Sequence, residues 1–254
     1  MKGAGGLSVI LITKNESHNI RACLQSVAWA DEIIVVDSGS TDDTVAVAHE
    51  FTPHVYLHDW PGFGAQKNRA LGYAGKDWVL SLDADERVTP ELRSQIEKAL
   101  EGAAENGFYL PRLSQFCGQF VRHSGWYPDY VLRLFKRGKG HFSDDLVHES
   151  VKLQGAAGRL SSPLLHYSYM SEADVHRKVE QYAAAAAMQM RKSGRVVTRA
   201  DAPVRAGWAF FRTYFLRLGF LDGSAGVGIA RMNARTTYLK YKKLKTLQST
   251  QPAL

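Results

Sequence analysis

Three carboxylates, Asp83, Asp85 and Glu86, follow an apolar segment in the first half of the chain. The segment before them, residues 78–82, has the length and composition of a buried strand. Open α/β sheets bind ligands beyond the carboxyl ends of their strands. Two aspartates separated by one small residue offer oxygen ligands to a hard divalent cation that also holds a diphosphate. An isolated Asp-x-Asp is more often a solvated acidic turn, so the surrounding segments must decide between the two.

Short strand-like segments and helical segments alternate through the first 82 residues. The first strand is apolar and rich in β-branched residues, and Asn15 or Ser17 is expected to cap the helix after it. The polar turn after the second strand is also rich in helix-capping residues. This alternation predicts a doubly wound α/β sheet. The predicted strands cover residues 7–12, 32–37, 55–57 and 78–82, and a further strand is predicted at 108–112.

The basic character of the chain belongs to its C-terminal segment. The formal charge of the whole chain is +7. Residues 204–254 hold nine basic residues and one acid, Asp222, and so carry +8, whereas the other 203 residues, with 23 basic and 24 acidic ones, carry −1. Such a tail favours an anionic partner, namely a membrane surface, an acidic substrate or a nucleic acid.

Cysteine usage and hydropathy limit the class of protein. Cys23 and Cys117 are too few for a disulfide framework and have no metal-ligand spacing, which favours a reducing compartment. The first residues lack the pattern of a secretory signal. No apolar run reaches the roughly 18–20 residues that span a bilayer. We therefore expect a cytoplasmic protein.

Four segments in a fixed order carry a family resemblance. They are residues 8–16 (a strand, then Thr-x-Asn-Glu), 32–44 (Ile-Ile-Val-Val-Asp-Ser-Gly-Ser-Thr-Asp within them), 62–71 and 82–86. With them the chain resembles the inverting family 2 glycosyltransferases of the GT-A fold. Residues 83–87, 146–151, 165–169 and 221–229 are similar to lipopolysaccharide core glucosyltransferases that add β-1,4-glucose to the first heptose. The resemblance implies a GT-A (Rossmann-like) nucleotide-sugar-binding sheet in residues 1–170 and a helical appendage in residues 171–254.

The resemblance also implies a donor site, with glucose from UDP-glucose as the expected donor. The metal, Mn²⁺ or Mg²⁺, is expected on Asp85, and Glu86 is expected to support Arg87 locally. Two of the residues expected to contact the nucleotide sugar have an alternative role: Asp37 as a helix cap, and Arg69 as part of a solvated helix face. The residues expected to contact the nucleotide sugar are Thr13, Asn15, Glu16, Asp37, Lys67, Arg69 and Asp83.

An inverting transfer needs one base that deprotonates the acceptor hydroxyl as the donor bond breaks. The candidates lie in the acidic segment 142–151. We expect Glu149 to be the base, with Asp145 as the second candidate. His148 either completes the metal shell or is a polar strand residue.

The acceptor is expected to meet aromatic and charged residues between these two sites. Trp126 and Asp129 lie in a loop bounded by Gly and Pro, and Arg133 suits an acceptor phosphate. His166 is expected to be a satisfied core histidine rather than a supporting site residue.

The C-terminal region predicts three helices, at residues 172–192, 204–221 and 229–247, with Gly194 ending the first. Aromatic and basic residues on its last helix suit an anionic membrane interface, and packing onto the sheet domain is the alternative. We expect a peripheral protein on the inner face of the cytoplasmic membrane that acts on a lipid-linked saccharide. A polyprenyl-phosphate sugar transferase or a nucleotidyltransferase is the enzymatic alternative. A protein whose basic tail binds a partner or a nucleic acid is the non-enzymatic one, but no nucleic-acid motif accompanies the tail.

Overall fold

The computed structural model describes residues 5–143 and 150–249. The chain divides into two compact units. The first comprises the residues up to Arg112 together with Asp129–His166, and the second comprises Leu113–Pro128 together with the residues from Tyr167 onwards. The boundary predicted at residue 170 therefore lies close to the second division. Residues 113–128 belong to the second unit, where Phe116 and Val121 pack against Ala225 and Ile229, and the predicted division into 1–170 and 171–254 stays a prediction.

The first unit begins with four parallel strands and the helices between them. The central strands β1, β2 and β4 end in register, with Thr13 opposite Asp37 and Ile12 opposite Asp83. Polar side chains at the ends of these strands therefore share one edge of the sheet. The elements are β1 (Leu7–Thr13), α1 (Ser17–Ser26), β2 (Glu32–Asp37), α2 (Thr44–His49), β3 (Val55–Leu57), α3 (Phe63–Tyr73) and β4 (Trp78–Asp83).

The rest of the sheet is built from later strands, several of them antiparallel. Strand β8 pairs antiparallel with β4 on one side and β6 on the other, and β12 pairs antiparallel with β5. The strand order is β3-β2-β1-β4-β8-β6-β12-β5. The elements are β5 (Glu86–Val88), α4 (Pro90–Leu100), β6 (Gly107–Phe116), β7 (Gln119–Phe120), β8 (Asp129–Lys136), β9 (Gly140–Phe142), β10 (Val151–Leu153), β11 (Ala157–Arg159) and β12 (Leu164–Tyr169).

Side chains that alternate along the strands form two apolar clusters. Val9 and Leu11 belong to the cluster that includes α1 and α4, whereas Ile10 belongs to the cluster that includes α3. This alternation is what a strand buried on both faces requires. The helices thereby cover both sides of the sheet, as the sequence pattern predicted.

The second unit consists mainly of helices. They are α5 (Glu172–Lys192), α6 (Asp201–Phe211), a π-helical turn (Arg212–Leu216), a 3₁₀ turn (Gly219–Asp222) and α7 (Gly223–Ser249). The prediction for α5 is confirmed, and Gly194 follows its end in the left-handed region at φ +69°. Within the described residues, no helix is both long and apolar enough to cross a membrane.

Three local predictions were wrong. Glu16 is the N-cap of α1 and no side chain caps it, because Asn15 and the Ser17 amide bond to the loop after β2 instead. The second helix begins at Asp201, since Pro203 fits the first turn, where its missing N–H is not needed.

The last helix starts six residues earlier than predicted, at Gly223. The glycines at its start do not interrupt it, because they allow close packing instead. A Cβ atom on Gly226 would lie only 1.7 Å from the Gly219 carbonyl oxygen. Gly226 thus lets the 3₁₀ turn and the first turn of α7 touch through their backbones.

Candidate active site

The Asp37 carboxylate organises the loop that follows β2. Its Oδ1 accepts from the amides of Gly39 (2.9 Å) and Ser40 (2.7 Å), and its Oδ2 accepts from the hydroxyls of Ser40 (2.5 Å) and Thr13 (2.9 Å). Asp37 is fully buried. Asp37 therefore organises the turn after β2 and does not cap a helix, since α2 begins at Thr44 with Asp43 as its N-cap. Nucleotide contacts of Asp37 and Thr13 stay predictions and require one of these bonds to be exchanged.

Further hydrogen bonds connect the loops after β1 and β2. The Asn15 amide donates to Ser40 Oγ (2.8 Å), and Asn15 Oδ1 accepts from the Thr41 amide (2.8 Å). The Glu16 amide donates to Thr44 Oγ1 (2.8 Å). The two loops form one hydrogen-bonded surface, which we call the loop pair (residues 13–17 and 37–44).

Glu16 faces the second aspartate of the Asp-x-Asp pair. Burial raises the pKa of Glu16, a hydrogen bond from Asn19 opposes this rise, and the negative charge of Asp85 adds to it. Because the two carboxylates repel each other, a cation close to Asp85 is favoured here.

Asp83 lies between two cations. Its Oδ1 is 3.0 Å from Lys67 Nζ, and its Oδ2 accepts from Arg133. Lys67 and Arg133 are buried, although the sequence suggested that both meet phosphates directly. Burial disfavours the charged form of Asp83, but Arg133 and Lys67 outweigh it and hold the pKa of Asp83 well below its usual range.

Glu86 anchors the other side of Arg133. Its Oε1 is 2.7 Å from Arg133 Nη2 and 3.7 Å from Arg112 Nη1, and its Oε2 accepts from the Asp83 amide at 3.0 Å. Glu86 has no exposed side-chain surface. The Arg87 guanidinium donates to the carbonyl groups of Ala84, Glu86 and Asn19, so Glu86 contacts Arg87 through its backbone while its carboxylate holds Arg133.

Lys67, Asp83, Arg112 and Arg133 line a cleft of about 450 Å³ within the first unit. Arg133 Nε is buried there and has no hydrogen-bond partner among the described residues. Arg112 continues the charged wall and donates to Asp129 Oδ2 from Nε (3.0 Å) and Nη2 (2.6 Å). The aromatic members of the lining are Tyr109, Tyr130 and Phe142.

Asp85 points to a different neighbour, His166. The Asp85 Oδ2 atom lies 3.4 Å from His166 Nε2, and both side chains are partly exposed. Strand pairing produces this contact, since His166 on β12 is opposite Glu86 on β5. The core role expected for His166 was therefore wrong. No pattern in the sequence links these residues, which are 81 positions apart.

The Asp85 and His166 pair fits a divalent cation. A carboxylate oxygen and an imidazole nitrogen are ligands that Mn²⁺ accepts, and such cations commonly keep water and substrate phosphates as their other ligands. The described residues contain no group of three or more acidic, histidine or cysteine side chains around one point.

Several predicted contacts lie elsewhere in the structure. Arg69 donates to the carbonyl (2.9 Å) and carboxylate (2.7 Å) of exposed Asp59, which supports the helix-face alternative. Trp126 belongs to the second unit, where its ring packs against Phe116 and Tyr169. The acceptor contacts of Trp126, Asp129 and Arg133 stay predictions.

The expected base and the expected second metal ligand cannot be placed. Glu149, Asp145 and His148 lie outside the described residues. The residues that flank this segment are well anchored. Phe142 exchanges two hydrogen bonds of 2.9 Å with the Asn68 side chain, and both Phe142 and Ser150 line the cleft.

Comparison with known proteins identifies the family to which this chain is similar. The family model described as "Glycosyl transferase family 2" matches residues 8–150. An uncharacterized glycosyltransferase of Rickettsia felis is 30% identical over 252 residues, which cover 94% of this chain and 89% of the relative. The lipopolysaccharide core biosynthesis glycosyltransferase LpsC of Rhizobium meliloti is 28% identical, over 98% of this chain and 97% of LpsC.

A solved structure extends the likeness to the fold. The mannosyltransferase PcManGT from Pyrobaculum calidifontis, solved with GDP-Man and Mn²⁺, superimposes with a TM-score of 0.53. It covers 98% of this chain and 88% of its own, at 15% identity. The first unit is thus a GT-A sheet, and a helical segment follows it as predicted.

Proposed function

The chain belongs to glycosyl transferase family 2, and on this basis we propose which sugar it transfers and onto which acceptor. The proposed reaction transfers glucose from UDP-glucose, with inversion, onto an inner-core heptose of lipopolysaccharide or a similar lipid-linked saccharide. The match to LpsC over nearly the whole chain supports the acceptor class. The observation that carries the proposal is the charged cleft beside Asp83, at the carboxyl end of β4.

The charges around the cleft suit a nucleotide diphosphate. Arg112, Lys67 and Arg133 are matched by Asp83, Glu86 and Asp129, so these six groups sum to zero formal charge. Asp85 then adds one unmatched negative charge near the strand end. A diphosphate cannot approach Asp85 favourably without a cation.

Asp85 and His166 are the residues that would hold that cation. When bound, the metal supplies positive charge that stabilises the departing diphosphate. Ionised Asp83 is fixed by Lys67 and Arg133, and it offers the donor a rigid acceptor of hydrogen bonds.

The transfer is a single displacement in which the acceptor oxygen attacks the anomeric carbon as the bond to the diphosphate breaks. The acceptor proton passes to a carboxylate, for which we propose Glu149 with Asp145 as the second candidate. The support is positional, since Phe142 and Ser150 on either side of this segment line the cleft. His148 as a further metal ligand is part of the same proposal.

We propose that the second unit binds the inner face of the cytoplasmic membrane. Most of its exposed apolar side chains lie on α6 and the two turns after it, whereas on the last helix Tyr238 is exposed but Tyr241 and Leu244 are buried. Basic residues are interspersed among them, and both acids of this stretch are paired. Asp201 contacts Arg205 at 2.9 Å, and buried Asp222 accepts from Ser124 Oγ at 2.8 Å. The exposed apolar residues are Val204, Trp208, Phe211, Phe215, Leu216, Leu218, Phe220 and Leu221.

Vesicle co-sedimentation tests this membrane proposal. We expect salt-sensitive binding to vesicles containing phosphatidylglycerol, weakened in a Trp208→Ser/Phe215→Ser variant. The matched control is Val196→Ser, which removes another exposed apolar side chain of the same unit. Binding that persists unchanged in the double variant contradicts the assignment of this surface.

A panel of nucleotide sugars tests the donor assignment. Thermal stabilisation and hydrolysis would be measured with Mn²⁺, Mg²⁺ or chelator on the wild type and on Asp85→Ala. We expect one uridine-diphosphate sugar to stabilise the protein only with metal, and the variant to lose this response. The matched control is Asp59→Ala, an exposed acid on the surface network with Arg69. Stabilisation that does not depend on metal, or that persists in Asp85→Ala, contradicts the metal site.

The acceptor is tested separately with the donor so identified. Incubation with heptose-containing core fragments and with polyprenyl phosphate distinguishes the two lipid-linked acceptor classes. Transfer to polyprenyl phosphate alone would replace the proposed acceptor and leave the donor site unchanged. An inverted anomeric configuration in the product, read by NMR, tests the single-displacement mechanism.

A further inference from the structure

The second unit contains a groove that the sugar-transfer proposal does not use. Its volume is about 660 Å³, within the range of roughly 300–1,000 Å³ typical of small-molecule sites. Three elements form it: the β6–β7 hairpin, the first half of α5 and the first half of α7. All of its lining residues belong to the second unit.

The floor of the groove is apolar and firmly packed. Phe116, Val179 and Ala225 are buried there. The Phe116 ring is fixed from behind by Trp126, whose ring centroid lies 5.8 Å away. A Cβ atom at Gly228 would lie only 2.6 Å from the Phe116 ring, so the ring can occupy this position because residue 228 has no side chain. Such a floor suits hydrocarbon rather than a sugar or a nucleotide.

One end of the groove is cationic. Arg231 and Arg235 lie one turn apart on α7, and Arg235 Nη1 is 3.0 Å from His176 Nδ1 on α5. Because guanidinium can only donate, this contact makes His176 Nδ1 an acceptor and leaves its Nε2–H as a donor. Two guanidinium groups and an imidazole N–H are the donor set that holds a phosphate.

The groove also contains an acidic residue. Glu172 lines it one helical turn before His176 on α5, near the exposed thiol of Cys117. Burial raises the pKa of Cys117, and the negative charges of Glu172 and Asp174 add to the rise. An anionic head is therefore directed to the arginine end, and an apolar chain can extend along the floor towards Cys117.

We propose that this groove binds a single anionic lipid, with its phosphate on Arg231 and Arg235 and the start of an acyl chain on the Phe116 floor. This goes beyond the proposed sugar transfer. It also differs from docking onto a bilayer, because the ligand is one molecule inside a groove. The shared chemistry of its possible sources is a phosphate ester attached to hydrocarbon.

Cys117 provides a direct measure of occupancy in the full-length protein. It is exposed and lines the groove, whereas Cys23 is fully buried and burial raises its pKa strongly. A thiol reagent at pH 8.5 will therefore label Cys117 first. The probe is dihexanoyl phosphatidic acid below its critical micelle concentration, so that no bilayer forms and the result is independent of the vesicle experiment.

We expect the probe to slow labelling of Cys117 in a saturable manner. In an Arg231→Gln/Arg235→Gln variant, the concentration needed for half-protection should rise about tenfold or more, because charge-assisted bonds to the phosphate are lost. The matched control is Arg199→Gln, another exposed arginine of the same unit, which should behave as wild type. Folding of each variant is checked by circular dichroism.

Two further probes separate the parts of the proposal. Inorganic phosphate lacks the chain and should leave the labelling rate unchanged, and dihexanoyl phosphatidylcholine carries no net charge and should protect weakly. The proposal is overturned by an absence of protection, by equal protection from phosphatidylcholine or inorganic phosphate, or by protection that survives in the double arginine variant.

Discussion

Arg133 is the residue whose removal tests the electrostatics of the cleft most sharply. In Arg133→Met a similarly long apolar side chain replaces the guanidinium between Asp83 and Glu86. Asp83 keeps Lys67 at 3.0 Å, but fully buried Glu86 keeps the Asp83 amide at 3.0 Å and a single described cation, Arg112, at 3.7 Å. Breaking a buried ion pair on one side destabilises a protein by about 3–5 kcal/mol. That is a large part of the roughly 5–15 kcal/mol that holds a domain folded.

The effect is measured by urea unfolding followed by circular dichroism, and by thermal melting. A loss of this size lowers the melting temperature by roughly 6–20 °C for a domain of this size.

Two controls accompany this experiment. Arg21→Met removes an arginine that also contacts a glutamate, Glu50, at 2.6 Å, but both side chains are about half exposed, so little change is expected. Adding Glu86→Gln to Arg133→Met should recover stability, because the uncompensated charge is gone. The reasoning is refuted if Arg133→Met unfolds within about 1 kcal/mol of the wild type, or if adding Glu86→Gln recovers no stability.

Three further predictions concern single side chains. Asp85→Asn should lower kcat/KM by at least about 100-fold. His166→Gln should raise the Mn²⁺ concentration for half-maximal activity about 10–100-fold. If metal titrations show neither change, Asp85 and His166 are not metal ligands. Glu149→Gln should lower kcat by roughly 10²–10⁴-fold with unchanged donor affinity in calorimetry, and if only Asp145→Asn does so, the base is Asp145. Asp37→Asn should lower stability in urea by about 1–3 kcal/mol without ligand, whereas unchanged stability with weaker donor binding would make it a direct contact.

The regular elements of the first unit could be predicted from local pattern alone. The strands at Glu32–Asp37 and Val55–Leu57 were predicted to the residue, because a buried parallel strand is a short apolar run bounded by polar turns. The helix Glu172–Lys192 was equally clear, since its apolar positions repeat at helical spacing and a glycine follows it.

The ion pairs of the cleft could not be predicted in this way. Arg133 meets Asp83 and Glu86 only because β8 inserts antiparallel beside β4, and these partners are 50 and 47 positions away in the chain. An arginine among aromatic residues looks the same in sequence whether it binds a phosphate or a buried carboxylate. The contact of Asp85 with His166 has the same origin, since it depends on the pairing of β5 with β12.

The loop pair has a consequence for the thermodynamics of donor binding. Asp37 and Asn15 already hold both loops through hydrogen bonds before any ligand arrives. Ordering a flexible loop on binding reduces affinity through lost conformational entropy, and a preorganised surface avoids most of that loss. Calorimetry of UDP binding should therefore show only a small unfavourable entropy from this part of the protein, and hydrogen exchange of the Ser40 and Thr41 amides should be slow already in the free protein.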